Sequence, residues 1–264
     1  MRSSKWIFGT FLLLMGGLTA SFAQVGAAEC SNAATGQCLL FGKNKKPVGA
    51  TQIEAVWKFN TRSTPKIIPV CWETSPSEYQ QEISIVRNHI GRTWEAASAL
   101  QFKGWGTCSA RSAGIHIKIV TDEQLPYTDG LGRSLDGRKD GMVLNFGKGA
   151  EWEKRCPPQP AGTELTAREL CLRAIVAHEF GHAIGLTHEQ NRAPKSVGET
   201  CLRLVTGDMP NQNLTDYDPQ SVMNYCNANP LNAGMLSASD IASVEQLYCP
   251  HNTPICESLS AWVE

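Results

Sequence analysis

Three of the six histidines in this 264-residue chain fall between positions 178 and 188, in the stretch AHEFGHAIGLTHEQ. No other feature constrains the fold as tightly. His178 and His182 are four residues apart, so on a helix their rings leave one face and can reach a single ion. Glu179 is rotated about 100° round that helix. It therefore flanks such an ion instead of binding it, and can take a proton from water held there. Gly185 allows the helix to end in a left-handed turn, after which His188 returns from the other side. Three imidazoles and one open position is the arrangement of catalytic zinc, whereas structural zinc sites are closed by four protein ligands. One Zn2+ per chain is expected, bound by His178, His182 and His188. A core helix with fortuitous histidines would explain a bare H-E-x-x-H; the continuation through Gly185 and His188 argues against it.

The rest of the sequence bounds where such a site sits. A formal net charge of −1, with acidic and basic residues intermixed, gives no basic face for nucleic acid. An apolar content of 42% and a charged content of 19% fit a globular chain. The N-terminus, MRSSKWIFGTFLLLMGGLTASFAQ, has Arg2 and Lys5, a short apolar run and the small-x-small site Ser21-Phe22-Ala23. That is the layout of a secretory signal peptide, 1–23, with a second candidate cut after Ala28. The run is shorter than the roughly 20 residues of a spanning helix, so a secreted, extracellular protein without membrane insertion is expected. All ten cysteines lie beyond it, which in an oxidising compartment implies up to five disulfides. Pairing of sequence neighbours is one of many connectivities. The absence of any C-x-x-C disfavours cysteine–metal ligation.

Along the chain, residues 24–50 are polar and small, an arm or pro-segment unable to build a core. KIIPVCWE (66–73) predicts a strand. A helix is expected to follow from Ser75 as N-cap, with Pro76 first and Glu78 third, burying Ile83, Val86, Ile90, Trp94 and Ala97. His89 falls off that stripe and is expected in solvent. GIHIKIVTD alternates, with Ile115, Ile117 and Ile119 inward and His116 and Lys118 on the wet face. TDGLGRSLDGRKDG holds three Asp-Gly pairs and predicts turns; calcium at Asp129, Asp136 and Asp140 is a weaker reading, since the spacing is not that of an EF-hand. GMVLNF (141–146) is the next strand. A proline-rich loop (157–160) then leads to the histidine helix, expected from about Glu164. A long irregular stretch, 191–234, precedes LSASDIASVEQLYC, with Ser237 and Asp240 as a capping pair and Ile241, Val244, Leu247 and Tyr248 buried. The order gives an α+β fold, not alternating βαβ units: a mixed sheet plus the histidine helix in the N-terminal half, then an irregular C-terminal half with a closing helix.

HEFGHAIGLTHE is similar to the H-E-x-x-H-x-x-G-x-x-H signature of the metzincin zinc peptidases. Glu189, Gln190 and Arg192 after the third histidine resemble the astacin branch. DYDPQSVMNY (216–225) resembles the astacin Met-turn, S-x-M-x-Y. GLGR before MVLNF resembles that family's loop and substrate-side edge strand, and LSASDIASVEQLYC its last helix. The resemblance covers roughly residues 50 to 250, one catalytic domain, and implies a metzincin-type fold with a catalytic domain over 51–256 and a tail over 257–264. It implies zinc on His178, His182 and His188, Glu179 as general base, Met223 as the floor beneath the metal, and Tyr225 as a displaceable further zinc ligand that stabilises the oxyanion. It also implies a peptide lying antiparallel to the MVLNF edge.

The chain departs from the family in places. APKSV stands where the family has D-R-D, and FGKNKK lacks the aspartate of the family's F-x-G-D pro-segment motif. Its disulfides are not the family's two; Cys201 and Cys226 are placed to brace the Met-turn loop. The expected function is a secreted, zinc-dependent, astacin-like endopeptidase acting on protein or peptide substrates as a monomer. A secreted zinc-binding protein that holds polypeptide or matrix without cutting is the alternative, opposed by the presence of Glu179. A zinc hydrolase of non-peptide bonds is opposed by Met223 and Tyr225. Asn213-Leu214-Thr215 is a glycosylation sequon.

Overall fold

Alternation and β-branching build a five-stranded sheet in the first half of the computed structural model, which describes residues 49–60, 62–147, 159, 164–192, 201, 207–256 and 258. The expected signal peptide, nearly all of the arm, most of the proline-rich loop and most of the tail lie outside these residues. So does 193–200, the part of the irregular stretch that holds APKSV. The strands are β1 (Gly49–Thr51), β2 (Lys66–Trp72), β3 (Leu100–Thr107), β4 (Ile115–Val120), β5 (Tyr127–Thr128), β6 (Arg138–Asn145) and β7 (Gln212–Leu214). The sheet order is β3-β2-β4-β6-β5, parallel except for β5, and β1 pairs separately and antiparallel with β7. The α+β reading and the mixed sheet therefore hold.

Several expectations are corrected. MVLNF belongs to β6, which is not the edge: Tyr127 and Thr128 pair antiparallel to Val143 and Met142 and cover it. The helix after Ser75 begins late. Pro76–Glu78 form a single 3-10 turn, and α1 runs from Gln80 to Arg92 with Tyr79 before it. Ser75 caps nothing; its hydroxyl meets that of Ser77. After the short α2 (Trp94–Ala97) the chain enters β3. This β2–α1–β3 path is one parallel crossover within the α+β layout. At Val70/Cys71 the register of β2 and β3 slips by one residue, leaving Trp105 as a bulge with φ 64°.

His89 is buried, not solvated, because its Nε2 bonds to Gly234 O at 2.9 Å. His116 is buried too, held between Glu73 Oε1 (2.7 Å) and Ser112 O (2.8 Å). Both expectations failed because a buried polar ring is tolerated once it finds hydrogen-bond partners, one for His89 and two for His116. The three aspartates of the turn segment face different partners: Asp129 pairs with Arg138, Asp136 accepts from Gly114 N, and Asp140 pairs with Lys118. They do not converge as calcium ligands would.

The histidine helix, α3 (Ala167–Ala183), starts at Thr166, whose side chain accepts from Glu169 N. It packs on the sheet through Phe180, edge-on to Phe102 at 5.1 Å and stacked on Trp105. The last carbonyls of a helix have no intrahelical partner. Here Trp57 Nε1 donates to Ala183 O and the Tyr248 hydroxyl to Ile184 O, at 2.7 and 2.6 Å. Residues from both ends of the domain thus fix the end of the helix. The closing helix α4 (Ala238–Tyr248) shows the expected Ser237–Asp240 capping box and buries Val244, Leu247 and Tyr248. Ile241 is instead exposed. Disulfides join Cys71–Cys108, Cys201–Cys226 and Cys249–Cys256, so Cys201 does brace the turn that carries Met223.

Candidate active site

The end of α3 sets the third histidine. Gly185 adopts φ 100°, its N–H bonds to His182 O at 2.8 Å, and Leu186 N bonds back to Gly181 O at 2.9 Å. This is a Schellman closure, for which a residue tolerant of positive φ is required. β1 then clamps the turn: the Thr51 hydroxyl donates to Gly185 O and Thr187 N to Ala50 O. The chain emerges reversed, and His188 faces the helix it has just left.

The three Nε2 atoms form a triangle with sides of 3.2, 3.2 and 3.1 Å. His178 Nδ1 lies 2.9 Å from Val222 O, and His182 Nδ1 2.8 Å from Leu186 O. A carbonyl only accepts, so both Nδ1 atoms carry the proton and both Nε2 lone pairs point inward. Burial, reinforced by the neighbouring imidazoles, holds His178 well below the usual histidine range and His182 at about 3. Neutral, inward-facing nitrogens at this separation suit a cation. A tetrahedral ion with bonds of about 2.0–2.1 Å would set them about 3.3 Å apart. Among the described residues one other group has metal-like spacing, Cys71, Cys108 and His116, but its two sulfurs are joined in a disulfide.

Met223 lies beneath α3. A Cβ on Gly181 would come within 2.2 Å of its sulfur, so H-E-x-x-H carries glycine where the turn approaches. That turn is held by Asp240, which accepts from the Ser221 hydroxyl (2.6 Å), Val222 N (2.9 Å) and Ser237 N (2.9 Å). Asp240 reads from sequence as a helix cap only. Its second task is invisible there, because the partners are 18 and 19 residues away. Glu189 is buried and takes both a bidentate contact from Arg192 and the N–H of Asp218. Burial still pushes its carboxyl upward.

Solved structures similar to this chain include two of myroilysin, each at 19% identity over 78% of this chain, covering 100% and 92% of theirs, with TM-scores of 0.48 and 0.44. A third is high choriolytic enzyme 1, a hatching enzyme zinc-protease from the medaka fish Oryzias latipes, at 17% identity, covering 76% of this chain and 97% of that one, with a TM-score of 0.47. No protein-family model and no curated protein matches the chain. At such low identity, the chemistry has to be read from the site's own side chains.

Tyr225 stands beside the triad, and Glu179 is buried one residue after His178. Tyr225 is partly exposed, its ring stacked on His178 at 4.9 Å and tilted against His188 at 4.7 Å. Gln190, fully buried, fixes the backbone there by accepting from Tyr225 N. Glu179 is 5% exposed, and burial raises its carboxyl to about 7, opposed by a hydrogen bond from Thr128. His178, His182, His188 and Tyr225 thus come together, with Met223 against the same helix at Gly181. Asp240, Gln190 and Thr128 join them as supports that the sequence did not mark.

Proposed function

We propose that the chain is a secreted, zinc-dependent endopeptidase of the astacin-like metzincin kind, cleaving peptide bonds of protein substrates. The observation that carries this is the converging triangle of three Nε2 atoms, with Glu179 following the first of those histidines in α3 and its carboxyl buried. Residues 1–23 are the signal peptide, 24–50 an arm or pro-segment, 51–256 the catalytic domain and 257–264 a tail. β1 begins at Gly49 and clamps the turn at Gly185, so trimming of the arm has to spare that strand.

His178, His182 and His188 would hold the zinc, one ion per chain. When bound, zinc polarises the scissile carbonyl and acidifies water at its open position. Glu179 takes the proton of the attacking water. Its Oε2 already accepts from Thr128, leaving Oε1 for the transfer. The same carboxyl then delivers that proton to the departing amine. Tyr225, its ring against His178 and His188, donates its hydroxyl to the negative charge that develops on the carbonyl oxygen, and would be a further ligand for the zinc. The substrate lies extended along the exposed edge of β5, adding a strand to the sheet.

Digestion of casein by the purified secreted form tests this. Cleavage should vanish on chelation and return with zinc. Undiminished cleavage by metal-free protein would refute the reading. Full zinc occupancy without cleavage, in protein lacking the arm, would favour the non-catalytic binder.

A further inference from the structure

Thr128 sits in the two-residue strand β5, fifty-one positions before Glu179, at the start of the segment read from sequence as turns. Its hydroxyl lies 2.7 Å from Glu179 Oε2 and 3.2 Å from Glu179 O. An ionised carboxylate and a carbonyl both only accept, so the single hydroxyl proton is donated, chiefly along the shorter contact.

We propose that Thr128 is the positioning residue for Glu179, its hydroxyl pinning Oε2 so that Oε1 alone exchanges the proton. This rests on the role given to Glu179 above.

The mounting suits the task. Thr128 is paired with Met142, and the next N–H, of Asp129, bonds to Gly141 O at 2.8 Å. The hydroxyl is therefore carried on the sheet, not on a free loop. Branching at Cβ restricts χ1, so the oxygen has few other places to go. A carboxylate on a helix has three rotatable side-chain bonds, and one charge-assisted bond from a rigid neighbour removes most of that freedom. β5 is also the sheet edge offered to substrate, so the strand that receives the peptide carries the group that orients the base.

Thr128→Val keeps size, branching and strand preference and removes only the donor. Its kcat on a peptide should fall about 10- to 100-fold, since small displacements of a reacting group cost rates of that order. KM should stay within about twofold, because the main-chain edge is untouched, and zinc content should match the parent. Thr128→Ser should recover kcat to within about threefold. In crystals of the metal-free proteins, Glu179 should occupy one side-chain conformation in the parent and Thr128→Ser, and several in Thr128→Val.

Parental kcat in Thr128→Val, with Glu179 still in one conformation, would overturn the proposal. So would a loss of rate that Ser does not rescue, which is what a merely structural tie between β5 and α3 produces. Glu179→Gln is the control: if it turns over at the parental rate, the role of Glu179 itself fails, whatever Thr128 does.

Discussion

Ile117 and Met223 are both buried in the same apolar core, yet what fixes their backbones differs. Ile117 lies in β4, paired with Trp72 on one side and Met142 on the other, within a continuous apolar core. Met223 lies on a turn with no ladder. Its N–H bonds to the Ser221 hydroxyl, its carbonyl accepts from Glu189 N, and Asp240 and the Cys201–Cys226 disulfide hold the turn around it. The sheet half is held by area removed from water, at about 25 cal/mol per Å2. The loop half shares that apolar core through Val222, Met223, Val244 and Leu247, but its turn is fixed in addition by a few buried polar groups, each costing about 1–3 kcal/mol when a partner is lost. A scaffold of the first kind tolerates change at one point. A site built of the second kind does not, and a metal centre needs the positional accuracy that such directional bonds provide.

The widest split should come from Asp240→Ala against Leu144→Ala. Removing Asp240 strands the Ser221 hydroxyl and the N–H groups of Val222 and Ser237, a loss of about 3–5 kcal/mol. It should also cost zinc, because Val222 orients His178. Leu144→Ala should cost about 2–5 kcal/mol through its cavity, with zinc affinity of the folded fraction unchanged. Denaturant melts with metal analysis separate the two; equal zinc loss in both would erase the distinction.

Gly181→Ala sharpens it further. Alanine is the better helix former, but its methyl would overlap the Met223 sulfur. A net loss of about 1–3 kcal/mol is expected, with turnover reduced more than in any substitution on the outer face of α3. A gain in melting temperature would show that the turn yields easily.

The smallest effect concerns His89. Burial lowers its pKa from 6.5 to about 4, with Arg173 and Arg92 acting in the same sense. The unfolded chain therefore binds the proton first. The contribution is complete above pH 6.5 and is lost as pH falls towards 4. His89→Gln keeps a donor for Gly234 O and removes the titration. Its melting temperature should fall less between pH 7.5 and pH 5 than the parent's, and parallel falls would contradict the assignment.

The same contrast explains what the sequence revealed. The histidine helix, its Gly185 closure and the strands β2, β4 and β6 are legible because each is set by local spacing. β3 was hidden: Gly104 and Gly106 weaken strand propensity, and the bulge at Trp105 breaks the alternation. The edge strand was misplaced because β5 is two residues long and has no period to detect. His89 and His116 defied the polar-outside rule because their partners come from distant segments. Ser75 was offered a helix that the turn at Pro76–Glu78 postponed. Of the site, the converging histidines and Tyr225 were readable, while the contacts made by Thr128, Asp240 and Gln190 were not, since only folding creates them.

The proposed function requires that three histidines hold a zinc and that Glu179 moves the proton. The most direct measurement is turnover of a peptide substrate by Glu179→Gln, with zinc content determined on the same sample. One zinc per chain with turnover reduced by several orders of magnitude is the predicted result. One zinc per chain with parental turnover would contradict the account.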